Sequence, residues 1–202
     1  MIKKILTYLV MPAIIVVLLY LVVASILKPV LFNKELASRE EVAIERLKEI
    51  RTLQVAYKST FGVFTASADT LTDFYNNGQI TVIRQIGSMD DSLAVAQKKV
   101  KRDSIKIFVK DTLFNTNPNF DISNTFRVPI TNEAISLDAI VKEVSGIKVP
   151  LFEASIPYNT LLGGMDRQLI INLNAEKESM NRYPGLKVGS VTTPNNNAGN
   201  WE

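Results

Sequence analysis

The chain has 202 residues, 47% of them hydrophobic, a formal charge of +3, and neither cysteine nor histidine. That inventory excludes a disulfide scaffold, a low-hydrophobicity disordered chain, metal centres built on cysteine or histidine, and every catalytic dyad or triad with a histidine base. The apolar residues are unevenly spread, which points to a membrane anchor followed by one modest folded domain.

Residues 1–4 form a short tail carrying Lys3 and Lys4. From Ile5 to Leu27 the chain runs 23 residues without a charge, interrupted only by Thr7, Pro12 and Ser25. As a helix this run is roughly 34 Å long, enough to cross a hydrocarbon layer of about 30 Å. Lys3, Lys4 and Lys28 bracket it as snorkelling anchors do, and Pro12 predicts a kink. The rival is a cleavable secretory signal with a small-residue site at Val22, Val23 and Ala24. The run is longer than the apolar core of about 7–15 residues that such signals carry, so a retained transmembrane helix is favoured. Basic residues flank both ends and do not set the orientation. A four-residue tail before the run resembles a signal anchor, with the amino terminus in the cytoplasm and the domain in the periplasm or exterior.

Residues 28–78 read as a helical stem. Lys28-Pro29 predicts a break, because proline disfavours helical geometry in the residue before it. Ser38-Arg39-Glu40-Glu41 fits a capping box that would open a second helix. Along that helix Ala43, Leu47, Ile50, Tyr57 and Phe61 share one arc and form a candidate helix interface, with Gln54 a polar intruder near its middle. Packing on its own domain is the plainer reading of the arc, since the pattern lasts only about three heptads. Gly62 ends the helix. Ser67 opens a short one carrying Leu71, Phe74 and Tyr75 towards Gly78.

Residues 79–193 read as strand-rich. Ile80, Val82, Ile83 and Ile86 suggest a strand, Asp90 or Asp91 a cap for a helix to about Lys101, and Ile105, Ile107 and Val109 a half-buried strand. Asn115 to Asn119 is a turn-rich stretch, and Pro129 confines Phe126 to Thr131 to an edge strand. Ser145-Gly146 splits Ile135 to Val144 from Ile147 to Ala154, a hairpin pattern. Leu169, Ile171 and Leu173 alternate as another strand, Tyr183-Pro184-Gly185 is a turn of type II order, and Leu186, Val188 and Val191 make a last strand. Residues 194–202 form an Asn-rich loop or disordered tail holding the sole tryptophan, Trp201. The expected fold class is α+β: an N-terminal transmembrane helix, an amphipathic helical stem and a mainly antiparallel sheet domain.

The membrane run, the amphipathic stretch from Arg46 to Tyr57, and the Gly62 and Phe64 that follow resemble the helical stem of type IV pilins and pseudopilins. The resemblance covers roughly residues 5–75. It implies a helix whose membrane half is buried in a filament or assembly platform and whose other half carries a small antiparallel sheet. Where that family has a processing glycine and, five residues on, a buried glutamate, this chain has Lys4 before Ile5 and no acidic residue before Glu35. The likeness is therefore confined to the stem.

The chemistry-bearing motifs are few. No phosphate-binding loop, nucleophile elbow or metalloprotease helix occurs. Gly163-Gly164 reads as a turn, and Asp90-Asp91 lacks the rest of a calcium loop. No catalytic, cofactor-binding or metal-binding residue is expected; partners that meet only in space leave no spacing to read. Lys98, Lys99, Lys101 and Arg102 are the densest basic cluster, a candidate contact for an anionic partner or else a solvated helix end. Without interleaved aromatics it makes a poor nucleic-acid platform, and no nucleic acid is expected. These features predict a non-enzymatic, single-pass structural or interaction subunit of a cell-envelope assembly, in the cytoplasmic (inner) membrane. Its partners would be the lipid bilayer, other envelope proteins or its own copies. The alternative is a membrane-tethered module for an anionic lipid or polysaccharide.

Overall fold

The computed structural model describes residues 10–86, 101–115, 117, 120–144 and 146–202. Its spine is a single helix, α1 (Met11–Phe61, 51 residues), about 75 Å long at the usual rise. The expected break at Lys28-Pro29 is absent: Pro29 lies inside α1. A proline there removes one hydrogen bond, to the Ser25 carbonyl four residues back, and both neighbouring turns remain intact. The capping box at Ser38 is absent for the same reason, since no helix begins there. Pro12 falls in the first turn of the described helix. At the far end Gly62 adopts φ 78° and its N–H donates to the Lys58 carbonyl at 2.8 Å, a left-handed stop that a side chain disfavours.

The two halves of α1 have different surroundings. From Val10 to Leu31 the large apolar side chains are exposed, and the most apolar stretch buries nothing. From Phe32 onward one stripe is covered: Phe32, Ala43, Leu47, Ile50 and Leu53 all belong to the core.

The cover begins with α2 (Ala68–Asn77), capped by the Ser67 hydroxyl, which accepts from Thr70 N–H. A two-stranded antiparallel ribbon follows, β1 (Gln79–Ile86) and β2 (Lys101–Phe108). The helix expected to reach Lys101 does not, because Lys101 opens β2. The rest of that expectation, with Asp90 and Asp91, lies outside the described residues. Two single-turn helices come next, α3 (Val109–Thr112) and α4 (Ile122–Thr125). A three-stranded antiparallel sheet, in the order β3-β4-β5, is built from β3 (Ser136–Val144), β4 (Ile147–Pro157) and β5 (Gly185–Gly189). The expected hairpin is β3-β4, and β4, the central strand of the sheet, turns Phe152, Ala154 and Ile156 into the core. β5 approaches β4 so closely at Gly189, φ 75°, that a side chain would meet the Phe152 carbonyl. Between β4 and β5 lie α5 (Tyr158–Leu161) and α6 (Arg167–Ser179).

Three sequence expectations are corrected in this region, and a fourth, left open between loop and disordered tail, is resolved as a loop. Leu169 to Leu173 is helical, not a strand. The Asp166 carboxylate accepts from the Gln168 and Leu169 amides at 2.9 and 3.3 Å, and Leu169, Ile170 and Leu173 fall on one helical face while Ile171 is exposed. Phe126 to Thr131 makes only one isolated bridge, Arg127 to Ala134, because Ile130 (φ 70°) and Asn132 (φ 57°) turn left-handed behind Pro129. Gly185 does not reach the positive φ of a type II turn; its N–H donates to Tyr183 two residues back, a tighter turn around Pro184. Residues 194–202 are a packed loop: Asn200 pairs with the backbone of Lys187 and Gly185, and Trp201 rests on the core.

Ile130 is a β-branched residue held left-handed while 69% exposed, a conformation that costs such side chains roughly 1–2 kcal/mol and that asparagine tolerates. Ile130→Asn is expected to raise the stability of the full chain by about 1 kcal/mol, read by urea unfolding in mild detergent from Trp201 fluorescence. A loss of stability would contradict the strain.

Candidate functional site

The arc expected as a helix interface is largely consumed by the fold. Ala43, Leu47 and Ile50 are wholly buried under the protein's own sheet and helices. Only its distal end reaches the surface, where Tyr57 is half-buried and Phe61 is exposed. There Tyr57, Phe61 and Phe74 cluster with ring centroids 4.5–5.8 Å apart. Gln54, the intruder in the arc, explains itself. Completely buried, its amide donates to the Thr65 carbonyl and accepts from the Thr65 N–H at 3.2 Å, so one side chain serves as a strand partner for the loop after Gly62.

The charged side of α1 is also engaged, as a row of clasps. Arg39 donates to the Leu161 and Gly163 carbonyls at 3.2 and 3.1 Å and pairs with Glu35 at 2.8 Å. Glu40 accepts from the Tyr158 hydroxyl at 2.6 Å. Burial, with that carboxylate beside it, pushes the phenol far above its ordinary value and fixes it as a donor. Arg46 donates to the Arg127 carbonyl, and Glu49 accepts from the Thr125 hydroxyl at 3.0 Å. Arg51 donates to Glu202 at 2.6 Å, closing the C-terminal loop onto α1. The Glu202 carboxyl is held below its usual range by that hydrogen bond. Sequence reading missed these residues as positioning groups; Gln54 alone carried a signal, as a polar residue in an apolar arc.

Lys98 and Lys99 lie outside the described residues. Lys101 and Arg102 stand in β2, paired in register with Ile86 and Gln85 at the open end of the ribbon. A cavity of about 670 Å³ lies between α1 and the C-terminal loop, with Lys177, Arg182 and Lys187 beside Tyr183 and Trp201 on its walls. Among the described residues no group of three acidic, histidine or cysteine side chains is placed to hold a metal ion. What the geometry offers chemically is positioning: polar side chains of one helix satisfy the backbone of the segments wrapped around it, and an apolar length of that helix is left bare. No protein-family model, characterised protein or solved structure matches the chain.

Replacing Gln54 with leucine strands a buried amide and carbonyl, each worth about 1–3 kcal/mol. Gln54→Leu is therefore expected to destabilise the chain by roughly 2–4 kcal/mol, and a change within about 0.5 kcal/mol would show that the pair carries nothing. Burial raises the Glu49 carboxyl, opposed by the Thr125 hydroxyl and Arg46. A carboxyl with a raised folded-state pKa binds its proton more tightly when folded. It therefore favours the fold at pH below the ordinary glutamate value, and that contribution is lost as pH rises through the raised value. Urea unfolding at a series of pH values should show Glu49→Gln gaining on the parent chain across that window and levelling above it. A difference independent of pH would contradict the burial.

Proposed function

We propose that the protein is a single-pass, membrane-anchored structural or interaction subunit of a cell-envelope assembly, built on the plan of a pilin-like stem. One observation carries the reading. A continuous 51-residue helix is bare along its apolar first part and wrapped from Phe32 onward by a small antiparallel sheet and short helices. A water-soluble protein would hide that surface, since contiguous exposed apolar patches of this size mark an interface with a membrane or another protein. With the short basic tail in the cytoplasm, the wrapped half stands outside it, and the inner membrane holds the anchor. Confinement to that plane raises the effective concentration of the domain for its partners, and tethering is the mechanism proposed. The plan also accommodates association between copies along α1.

The second reading, a module for anionic lipid or polysaccharide, draws on Lys101 and Arg102 at the open end of the ribbon, with Lys98 and Lys99 next to them in sequence. Purification of the full-length protein from its own membranes in mild detergent separates the two. A reproducible set of co-purifying envelope proteins, or a homo-oligomer, is expected. A clean monomer that binds acidic vesicles or polysaccharide, and loses that binding on charge reversal at 98, 99, 101 and 102, would replace the assembly reading with the binding module.

A further inference from the structure

The folded body reaches further down α1 than its core does. Two shallow clefts separate α1 from the turn that opens α6. The first, about 420 Å³, has Leu21, Ala24 and Lys28 on the α1 side and Asp166, Gln168 and Leu169 opposite. The second, about 310 Å³, adjoins it and runs between Leu31 and Met165. Leu21 and Ala24 belong to the uncharged run, so the start of α6 faces chain that lipid would surround.

Two placements of the bilayer fail. If hydrocarbon covered the run up to Leu27, Asp166, Gln168 and the exposed Arg167 would lie at acyl-chain depth, where ionised and amide groups are costly. If the folded body stood clear of the bilayer, the apolar walls at Leu21 and Ala24 would face water. Length decides between them. As a helix, the uncharged run that starts at Ile5 would use up a hydrocarbon layer of about 30 Å in about 20 residues, which puts the layer's edge near Ala24, level with the first cleft. Beyond it lies the head-group layer, roughly 5–7 Å thick. That layer accepts apolar walls below and polar groups above.

We propose that the opening turn of α6 is docked on the bilayer that the anchor enters, with phospholipid head groups filling the first cleft. Lys28, on the rim of each cleft, and Arg167 meet the phosphates, and the upper acyl carbons lie against Leu21 and Ala24. The Asp166 carboxylate is turned to two amides of its own helix, and the two cations Lys28 and Arg167 outweigh its single charge. The domain therefore rests on the membrane at one fixed edge, and its partners approach from the sides and from the far end. This docking rests on α1 being the anchor.

The chain has no native cysteine, so single-cysteine variants of the full-length protein carry one environment-sensitive fluorophore each. Leu18→Cys, Gln168→Cys and Glu178→Cys probe the anchor, the opening turn of α6 and the exposed end of the same helix. Each is reconstituted in phosphatidylethanolamine and phosphatidylglycerol vesicles. Quenching is measured by nitroxide on the lipid head group, by nitroxide deep on the acyl chain, and by aqueous iodide. Head-group nitroxide is expected to quench the Gln168 probe at least twofold more than the Glu178 probe, and deep nitroxide to quench only the Leu18 probe. A Gln168 probe reached by iodide alone, or by the deep nitroxide, while the Leu18 probe stays lipid-quenched, overturns the docking and leaves the anchor standing. A Leu18 probe untouched by either nitroxide overturns both.

Discussion

Everything in this molecule is organised around one backbone constraint: residues 11–61 are a single helix placed in two environments. A helix satisfies its own amides and carbonyls along its whole length, so it passes from an apolar surrounding to a polar one without changing its hydrogen bonds. Only its side chains differ along its length, and cover begins at Phe32, the first buried core position on α1. Below it, among the described residues, the side chains offer mostly apolar surface, interrupted by Ser25 and Lys28. Above it Ala43, Leu47, Ile50 and Leu53 supply one wall of the core, and the sheet, the short helices and the C-terminal loop are laid against that wall. Because the bare length and the wall share one rod, displacement of the lower half is transmitted to the wrapped half through backbone hydrogen bonds.

The polar side of the same rod ties the wrapped segments to the stem, while Lys34, Glu41, Glu45 and Lys48 stay exposed. Arg39 and Glu40 reach α5, Arg46 and Glu49 reach residues 125–127, and Arg51 reaches the C-terminal loop, three of the five donating to backbone carbonyls. Isolated surface ion pairs contribute little, but a guanidinium that satisfies the end of α5, or a hydroxyl held by a carboxylate, specifies which segment lies where. Gln54 does the same inside the core.

Much of this organisation was legible in the residues. The apolar run, the stop at Gly62, the cap at Ser67 and the hairpin around Ser145-Gly146 each depend on local chemistry that sequence displays directly. What misled was local chemistry overruled from a distance. Pro29 costs one hydrogen bond, too little to break a rod held on both sides. Leu169 to Leu173 satisfies a strand period and a helix period alike over five residues, and the Asp166 cap decides it. Pro129 signalled an interruption, but the left-handed Ile130 that turns the chain there has no composition signature. The clasps were illegible because their partners lie 76 to 151 residues away, and the packing of Trp201 and Glu202 onto the body depends on those same distant contacts.

The most direct measurement is the intact mass of the protein recovered from its native host, taken separately from the carbonate-washed membrane pellet and from the soluble fraction. A chain that retains the residues before Lys28, found in the pellet and released only by detergent, is the result expected of a helix solvated by lipid. A chain trimmed near Ala24 and recovered in the soluble fraction would contradict it, and the bare length of α1 would then be a discarded export signal.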